Sequence, residues 1–197
     1  MEKRLRIGVD VGGTFTDFVL VDEERDLIYT GKRLTTSDDP SVAIIDGIER
    51  LQRESETTAA AVHSLVHGTT LVTNTIIERT GAKVGLITTK GVRDTLEMGR
   101  EIRYDLYDLF LEAPPTLVPR HLRREVPERI APDGEVLAPF DAAAFRTVAR
   151  ELIEVEKVDA VAVCFMHSYR NPDHERQAKA ILSEEFADVP VTISSEV

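Results

Sequence analysis

The stretch that decides the fold is IGVDVGGTFTDFVLVD, residues 7–22, in which two apolar runs are joined by a Gly-Gly-Thr step. Side chains alternate between the two faces of a β-strand, so the apolar side chains of the first run share one face. Asp10 then lies on the other face, between Gly8 and Gly12. We therefore expect a β-hairpin in which the Asp10 carboxylate has open space beside it, because its neighbours on that face of the strand lack side chains.

The glycine step allows two interpretations. Glycines beside Asp10 leave room for a hydrated metal ion or for a ligand that approaches the backbone closely. Gly12 and Gly13 permit the positive φ angles of a tight turn, whose amides point together at phosphate oxygens, and Thr14 and Thr16 add hydroxyl donors. The alternative is a type I′ turn that needs Gly-Gly, with Asp10 as an exposed polar residue. The residues alone leave both interpretations open.

The pattern around the hairpin indicates an α/β fold. Strands are expected at 5–11, 15–22 and 27–34, followed by a helix from about 40 to 54, a short strand, a helix that stops near Gly81 and another strand. Three consecutive strands form an antiparallel meander, and strand-helix alternation follows it. This order differs from a plain Rossmann alternation and from an all-β protein.

Three regions follow from these elements. Residues 1–90 are expected to form a phosphate-binding subdomain, residues 91–139 a loop-rich insertion, and residues 140–197 a second α/β portion that continues beyond this chain. In the last region the apolar run VDAVAVCF is typical of a buried strand. We expect the thiol of Cys164, within that run, to be buried and structural.

Composition excludes several classes of protein. The chain has 197 residues and a formal net charge of −11, which argues against nucleic acid binding through a general basic surface. One cysteine allows no disulfide within the chain. No apolar stretch approaches the roughly 20 residues of a membrane span, and no signal peptide is recognisable. We expect a cytoplasmic protein that does not bind membranes.

A second candidate site is HGTT, residues 67–70, at an expected strand-to-helix junction. Free amides and a partial positive charge at a helix N-terminus favour an anion, so Gly68, Thr69 and Thr70 are candidate phosphate contacts. His67 is a candidate for proton transfer, and Asn74, about one turn further, for the same cleft. The alternative is a threonine-capped helix with a hydrogen-bonded histidine and a polar packing residue.

A third patch is MGREIRYDLYDL, residues 98–109. Arg100 and Arg103 are candidates to clamp a carboxylate or phosphate, with Tyr104 and Tyr107 lining the pocket. The alternative is a charged surface segment in which arginine stems cover aromatic rings.

Five long motifs carry a family resemblance. They are DVGGTFTDFVLVD, HGTTLVTNTIIERTGAKVGLITTKGVRD, RYDLYDL, VPERIAPDGEVLAPFD and AVAVCFMHSYRNPDHE. Together they resemble the N-terminal region of the hydantoinase A and 5-oxoprolinase family, in the superfamily of sugar kinases, heat-shock ATPases and actin. The resemblance implies half of a ribonuclease H-like, actin-like ATPase fold with a mixed sheet.

For the site, the resemblance implies ATP and Mg²⁺ as cofactors. Asp10 would face the magnesium and take part in catalysis, while Gly12, Gly13, Thr14 and Thr16 would form the first phosphate element. The glycine spacing of the dinucleotide fingerprint and of the P-loop is absent from the chain, so neither motif competes with this interpretation.

For the function, the resemblance implies ATP-dependent opening of a cyclic amide of the hydantoin or 5-oxoproline type, through phosphoryl activation of the amide. The alternatives are an acetone-type carboxylase subunit, a small-molecule kinase or a non-catalytic nucleotide-binding fragment. Expected partners are the cyclic amide, the second ATPase domain of the same polypeptide and a hydantoinase B-type subunit. Because only one phosphate hairpin is present, we expect this chain alone to be inactive.

Overall fold

A computed structural model of the chain describes residues 5–36, 38–100, 105, 107–112 and 114–197. The chain divides into two compact units, Met1–Thr80 and Gly81–Val197. Each unit has its own buried apolar cluster. No helix in the described part of the chain is both long enough and apolar enough to cross a membrane.

The first unit is a four-stranded mixed sheet with two helices. Its elements are β1 (Leu5–Val11), β2 (Phe15–Asp22), β3 (Leu27–Leu34), α1 (Pro40–Glu54), β4 (Val62–Thr69) and α2 (Leu71–Glu78). The strand order is β3-β2-β1-β4, with β1 antiparallel to β2 and parallel to β4. The expected meander, helix, strand and helix are confirmed.

Alternation along β1 builds the core of this unit. The odd-numbered residues of β1 are buried, whereas Asp10 is exposed. Helix α1 begins where the Asp39 carboxylate accepts a hydrogen bond from the Ser41 amide. Gly47 of α1 brings the helix close to the sheet, because a Cβ at this position would lie 2.1 Å from Cζ of Phe18. Helix α2 ends at Arg79, whose φ is +56°, rather than at the expected Gly81.

The second unit contains a parallel sheet. Its elements are β5 (Val84–Thr89), α3 (Thr95–Met98), β6 (Arg123–Val126), β7 (Arg129–Ile130), β8 (Val136–Ala138), α4 (Ala142–Arg150), β9 (Ala160–Cys164), α5 (Asp173–Glu185) and β10 (Val191–Ile193). The order is β10-β9-β5-β6, all parallel, while β7 and β8 form a separate antiparallel hairpin. A π-helical segment, Glu151–Val155, continues α4.

The boundary between the two units lies after Thr80, whereas a boundary after residue 90 was expected from the sequence. β5 was expected in the first region, but it pairs with β9 on one side and β6 on the other. β6 itself lies within 91–139, so this stretch supplies a sheet strand as well as loops. The physical reason is that β5 is a central strand, with Ile87 fully buried in the core of the second unit.

The expectation of a buried Cys164 is wrong, because the thiol is exposed. Cys164 is the last residue of β9 and pairs with Thr88 of β5. The preceding residue, Val163, faces the core, so alternation turns Cys164 to the opposite face of the sheet.

Candidate functional site

The hairpin between β1 and β2 is tight without any left-handed residue. The Gly12 amide donates to the Phe15 carbonyl at 2.9 Å. Neither Gly12 nor Gly13 is among the residues with positive φ, which corrects both the expected positive angles and the type I′ alternative. The hairpin needs glycine at position 12 because a Cβ there would lie only 2.9 Å from the Phe15 carbonyl oxygen.

Thr16 does not belong to the ligand-facing surface, which corrects its expected role as a phosphate donor. Its side chain is fully buried, and its hydroxyl lies 2.9 Å from the Thr35 hydroxyl. Thr35 in turn donates to the Gly12 carbonyl at 2.9 Å, and its amide donates to the Thr14 carbonyl at 2.9 Å. Thr16 and Thr35 therefore brace the hairpin from the core side. Thr14 remains exposed.

The junction between β4 and α2 lies beside this hairpin. β1 and β4 are parallel, with Asp10 opposite Gly68 and Val11 opposite Thr69. The Thr70 amide donates to the Val11 carbonyl at 3.1 Å, which fixes the start of α2 against the end of β1. The two glycine-bearing motifs of the sequence therefore meet at one end of one sheet.

Two glycines shape the surroundings of these groups, Gly68 by leaving space open and Gly13 by admitting a neighbouring side chain. A Cβ at Gly68 would lie 3.7 Å from the Asp10 Oδ1 atom, so its absence keeps one side of the carboxylate free. A Cβ at Gly13 would lie 2.8 Å from the Asn74 Nδ2 atom. The structure thus places Gly68 beside Asp10 and Asn74 beside Gly13.

His67 is separated from Asp10. It pairs with Val9, one residue before the Asp10–Gly68 pair, so alternation places its side chain on the other face of the sheet. His67 is exposed there, while Val9 beside it is buried. The register of β1 and β4 therefore places His67, the candidate for proton transfer, on the face opposite Asp10.

The two threonines of the junction have different surroundings. The Thr69 hydroxyl accepts a hydrogen bond from the Leu71 amide at 3.2 Å. Thr70 is the N-cap residue of α2, but its side chain makes no capping hydrogen bond, and it is exposed. The Thr70 hydroxyl is therefore available to a ligand at the N-terminus of α2.

The third patch does not form a pocket within the described residues. Arg100 is exposed, and Tyr107 is 92% exposed. Arg103 and Tyr104 lie outside the described residues. The expected clamp on a carboxylate or phosphate therefore stays a prediction.

The donor set around Asp10 suits a magnesium ion bound together with phosphates. Within the described ranges, no group of three or more His, Cys, Asp or Glu side chains is placed to hold a metal. Mg²⁺ is commonly bound through one or two carboxylates, with substrate phosphates and waters completing the shell. Asp10 is one such carboxylate, and the amides of α2 that follow Thr70 and Leu71, which are already hydrogen-bonded, would supply donors for an anion.

A buried polar network in the second unit was missed by sequence reasoning. The Glu128 carboxylate accepts a hydrogen bond from the Thr89 hydroxyl and lies 2.8 Å from Nδ1 of His174. Glu128 and His174 are 3% and 5% exposed. Nothing in the sequence pairs residues 46 positions apart, so no local signal points to this network.

Known proteins resemble this chain over nearly its whole length. The profile of the hydantoinase/oxoprolinase N-terminal region matches residues 6–186. An uncharacterized protein of Methanocaldococcus jannaschii is 38% identical over 195 residues, which cover 98% of this chain and 28% of that protein.

Two solved structures are similar in sequence and in fold. The ATP-dependent caprolactamase from Pseudomonas jessenii has a TM-score of 0.81 at 37% identity, covering 98% of this chain and 28% of that one. The nucleotide-free structure of an ATP-dependent acetone carboxylase has a TM-score of 0.87 at 30% identity, covering 98% and 29%. This chain thus spans less than a third of each of these proteins. The chain belongs to the hydantoinase/oxoprolinase family and corresponds to its N-terminal region.

Proposed function

We propose that this chain supplies one half of an ATP site in an enzyme that opens a cyclic amide of the hydantoin or 5-oxoproline type. The β1–β2 hairpin and the start of α2 contact the phosphates, through Gly12, Gly13, Thr14 and Thr70. Asp10 faces the Mg²⁺ that accompanies them. His67, on the other face of the sheet, has no part in this site.

One observation carries the proposal. Two segments about sixty residues apart in sequence, each with a glycine step and threonines, meet where Asp10 lies opposite Gly68. On the same face Asp17 lies beside Asp10 and Val19 lies beside Gly8, so the open side of the Asp10 carboxylate is the side toward Gly68 and the start of α2. The names of the two solved relatives, a caprolactamase and an acetone carboxylase, both include dependence on ATP.

The chemistry explains why ATP is needed. Hydrolysis of a cyclic amide is slow because the carbonyl is resonance-stabilised and the nitrogen is a poor leaving group. Transfer of the γ-phosphoryl from ATP to the amide oxygen would release ADP and leave an activated, O-phosphorylated amide. Attack of water on its carbon would break the C–N bond and open the ring, and a second water would release inorganic phosphate from the resulting acyl phosphate. Catalysis of such a transfer consists mainly of positioning and charge stabilisation. A bound Mg²⁺ would neutralise phosphate charge, while the hairpin and the α2 amides orient the phosphates.

The likeness to an acetone carboxylase supports a second candidate, a carboxylase subunit that activates its substrate by phosphorylation. Both candidates share the phosphate site and differ in the substrate. For the whole protein we propose a cytoplasmic enzyme whose second ATPase domain lies elsewhere in the same polypeptide, with a hydantoinase B-type subunit as partner. On this proposal the present chain binds Mg-ATP weakly and does not turn it over.

The Asp10→Asn variant of the whole protein tests the phosphate site. We expect ATP-dependent ring opening to fall at least about a hundredfold, because a charged metal contact is lost while the shape is kept. Asp46→Asn is the matched control, since Asp46 lies on α1, which packs against the opposite face of the sheet, and its carboxylate is 2.7 Å from Nε of Arg33.

Activity is measured as ADP release with a panel of cyclic amides as substrates. Mg-ATP affinity is measured by calorimetric titration of both variants. Loss of Mg-ATP affinity in Asp10→Asn alone supports the site. Equal activity in Asp10→Asn and wild-type protein, or tight binding with turnover by the 197-residue chain alone, would refute it.

A further inference from the structure

Helix α2 is apolar, and the first unit leaves it uncovered. None of its residues is fully buried. Three of its apolar side chains, Val72, Ile76 and Ile77, are 70%, 49% and 72% exposed, and we call them the α2 surface. Leu71, at the first position of the helix, packs against the apolar cluster of the unit. The helix is thus fastened at its start, while most of its apolar side chains face outward.

Helix α1 of the same unit shows how a helix that faces solvent is built. It buries Leu51 on one side, and its exposed residues include the ion pair between Arg50 and Glu54. The eight residues of α2, LVTNTIIE, contain one ionisable residue, Glu78. A helix whose apolar side chains point in several directions is normally buried in the core of a larger protein. We therefore expect another body of protein to cover α2.

The sheet of the first unit also leaves part of its core face uncovered. Leu65 of β4 lies opposite the buried Ile7 of β1, so both side chains are on the core face. Where α1 approaches this face, its neighbours are Phe18 of β2 and Gly31 of β3. Leu65 is 52% exposed. The core face therefore extends beyond the part that α1 covers.

The length of the related proteins indicates what covers the α2 surface. This chain spans 28% and 29% of the two solved relatives, so more than two thirds of each polypeptide lies outside the matched part. A body joined to the chain by a short linker has an effective concentration of roughly millimolar, which a second copy does not reach in dilute solution. α2 contains neither Lys nor Arg, so it lacks the basic face with which interfacial helices bind anionic membranes.

We propose that the α2 surface is an interface with the later part of the same polypeptide. The occupant presents apolar side chains to Val72, Ile76 and Ile77, because these residues offer no partner to a charged group that would lose its hydration there. Burial of the three side chains by a body that is already tethered stabilises the whole protein.

Helix α2 connects this interface to the candidate phosphate site. Thr70, the N-cap residue, has an exposed side chain, and the helix that follows it has eight residues. At 1.5 Å per residue, a body that covers α2 lies within about 12 Å of Thr70. We assign to this body the other half of the ATP site. That assignment rests on the proposed function, whereas the interface itself does not.

Deuterium exchange of the whole protein, without nucleotide, tests the interface. Helices as short as α2 are marginal unless other parts of the protein cover them, so an uncovered α2 would exchange its amide hydrogens rapidly. We expect the amides of residues 73–77 to exchange at least about a hundredfold more slowly than those of an unfolded chain.

Two lysine variants of the whole protein identify the surface. Ile77→Lys places an ammonium in the interface, so exchange at residues 73–77 should become at least about tenfold faster. Val155→Lys is the matched control. Val155 is 74% exposed, close to the exposure of Ile77, and lies in the second unit between Glu154 and Glu156. It should leave exchange in α2 unchanged.

Three results would overturn the proposal: rapid exchange of α2 in the wild-type whole protein, equal effects of the two lysine variants, or protection of α2 that is lost on dilution. The last result would assign the α2 surface to a second copy. The wild-type measurement decides even if Ile77→Lys fails to fold. Because no nucleotide is present, a failure here would leave the phosphate site to the separate test with Asp10→Asn.

Discussion

At the scale of single residues, two glycines of the candidate site are required for different reasons. A Cβ at Gly12 would lie 2.9 Å from a backbone oxygen, which cannot turn away as a side chain can. A Cβ at Gly68 would make an ordinary contact of 3.7 Å with the Asp10 Oδ1 atom. Gly12 is therefore needed for folding, whereas Gly68 is needed for the open space beside the carboxylate.

Alanine substitutions at the two positions distinguish the requirement for folding from the requirement for open space. Gly12→Ala should lower the free energy of unfolding by about 1–3 kcal/mol, because the hairpin must shift to admit the methyl group. Gly68→Ala should leave it within about 0.5 kcal/mol of wild type, while weakening Mg-ATP binding by the whole protein. Urea denaturation and calorimetry measure the two effects. A greater loss of stability in Gly68→Ala than in Gly12→Ala would contradict this assignment.

At the scale of elements, one buried carboxylate fastens α5 to the ends of two strands. Glu175 is fully buried in the first turn of α5. Its carboxylate accepts from the Phe165 amide after β9 at 2.8 Å, and from the Ser194 hydroxyl and Ser195 amide after β10 at 2.7 and 2.8 Å. Both carboxylate oxygens therefore accept from at least one donor, so an amide nitrogen in place of either oxygen would face a donor.

Glu175→Gln should therefore destabilise the second unit. The NH2 group of glutamine would face an N–H or O–H donor where the carboxylate oxygen now accepts from it. We therefore expect the free energy of unfolding to fall by about 1–3 kcal/mol. Glu184→Gln, the same change at an exposed residue of α5, serves as the control and should have little effect. Denaturant titration followed by circular dichroism measures both. An equal loss in the two variants would disprove the fastening role.

At the scale of the whole molecule, each unit closes its own apolar cluster. The division after Thr80 assigns β5 to the second unit, as the central partner of β9 and β6. A parallel sheet that loses an interior strand loses two ladders of hydrogen bonds and part of its core. The position of the division therefore determines which fragment of the chain is able to fold.

Two fragments test the division. Residues 81–197 should fold alone and unfold cooperatively, with amide NMR signals that overlay those of the whole chain. Residues 91–197, which begin at the expected boundary and lack β5, should give the spectrum of an unfolded chain. Folding of the shorter fragment, or failure of the longer one, would contradict the observed division.

The elements were predictable because their signals are local. Alternation around Asp10 and the Asp39-Pro40 helix start lie within a few residues of the structures they specify. The same alternation predicted the exposed carboxylate of Asp10. Properties that depend on residues distant in sequence were not predictable. The role of Thr16 inside the hairpin depends on its contact with Thr35. The face of the sheet on which His67 lies depends on its pairing with Val9. Cys164 is exposed because of the way β9 pairs within the sheet, and a short stretch of sequence does not reveal that pairing.

The outer edge of β4 has a consequence for handling the protein. In the part of the chain that the structure describes, β4 pairs with β1 only. Two of its apolar side chains, Leu65 and Val66, are 52% and 60% exposed. A free strand edge with apolar side chains is a template on which further strands add. We therefore expect concentrated solutions of this chain to polymerise through β4, and we expect Val66→Lys to reduce this polymerisation.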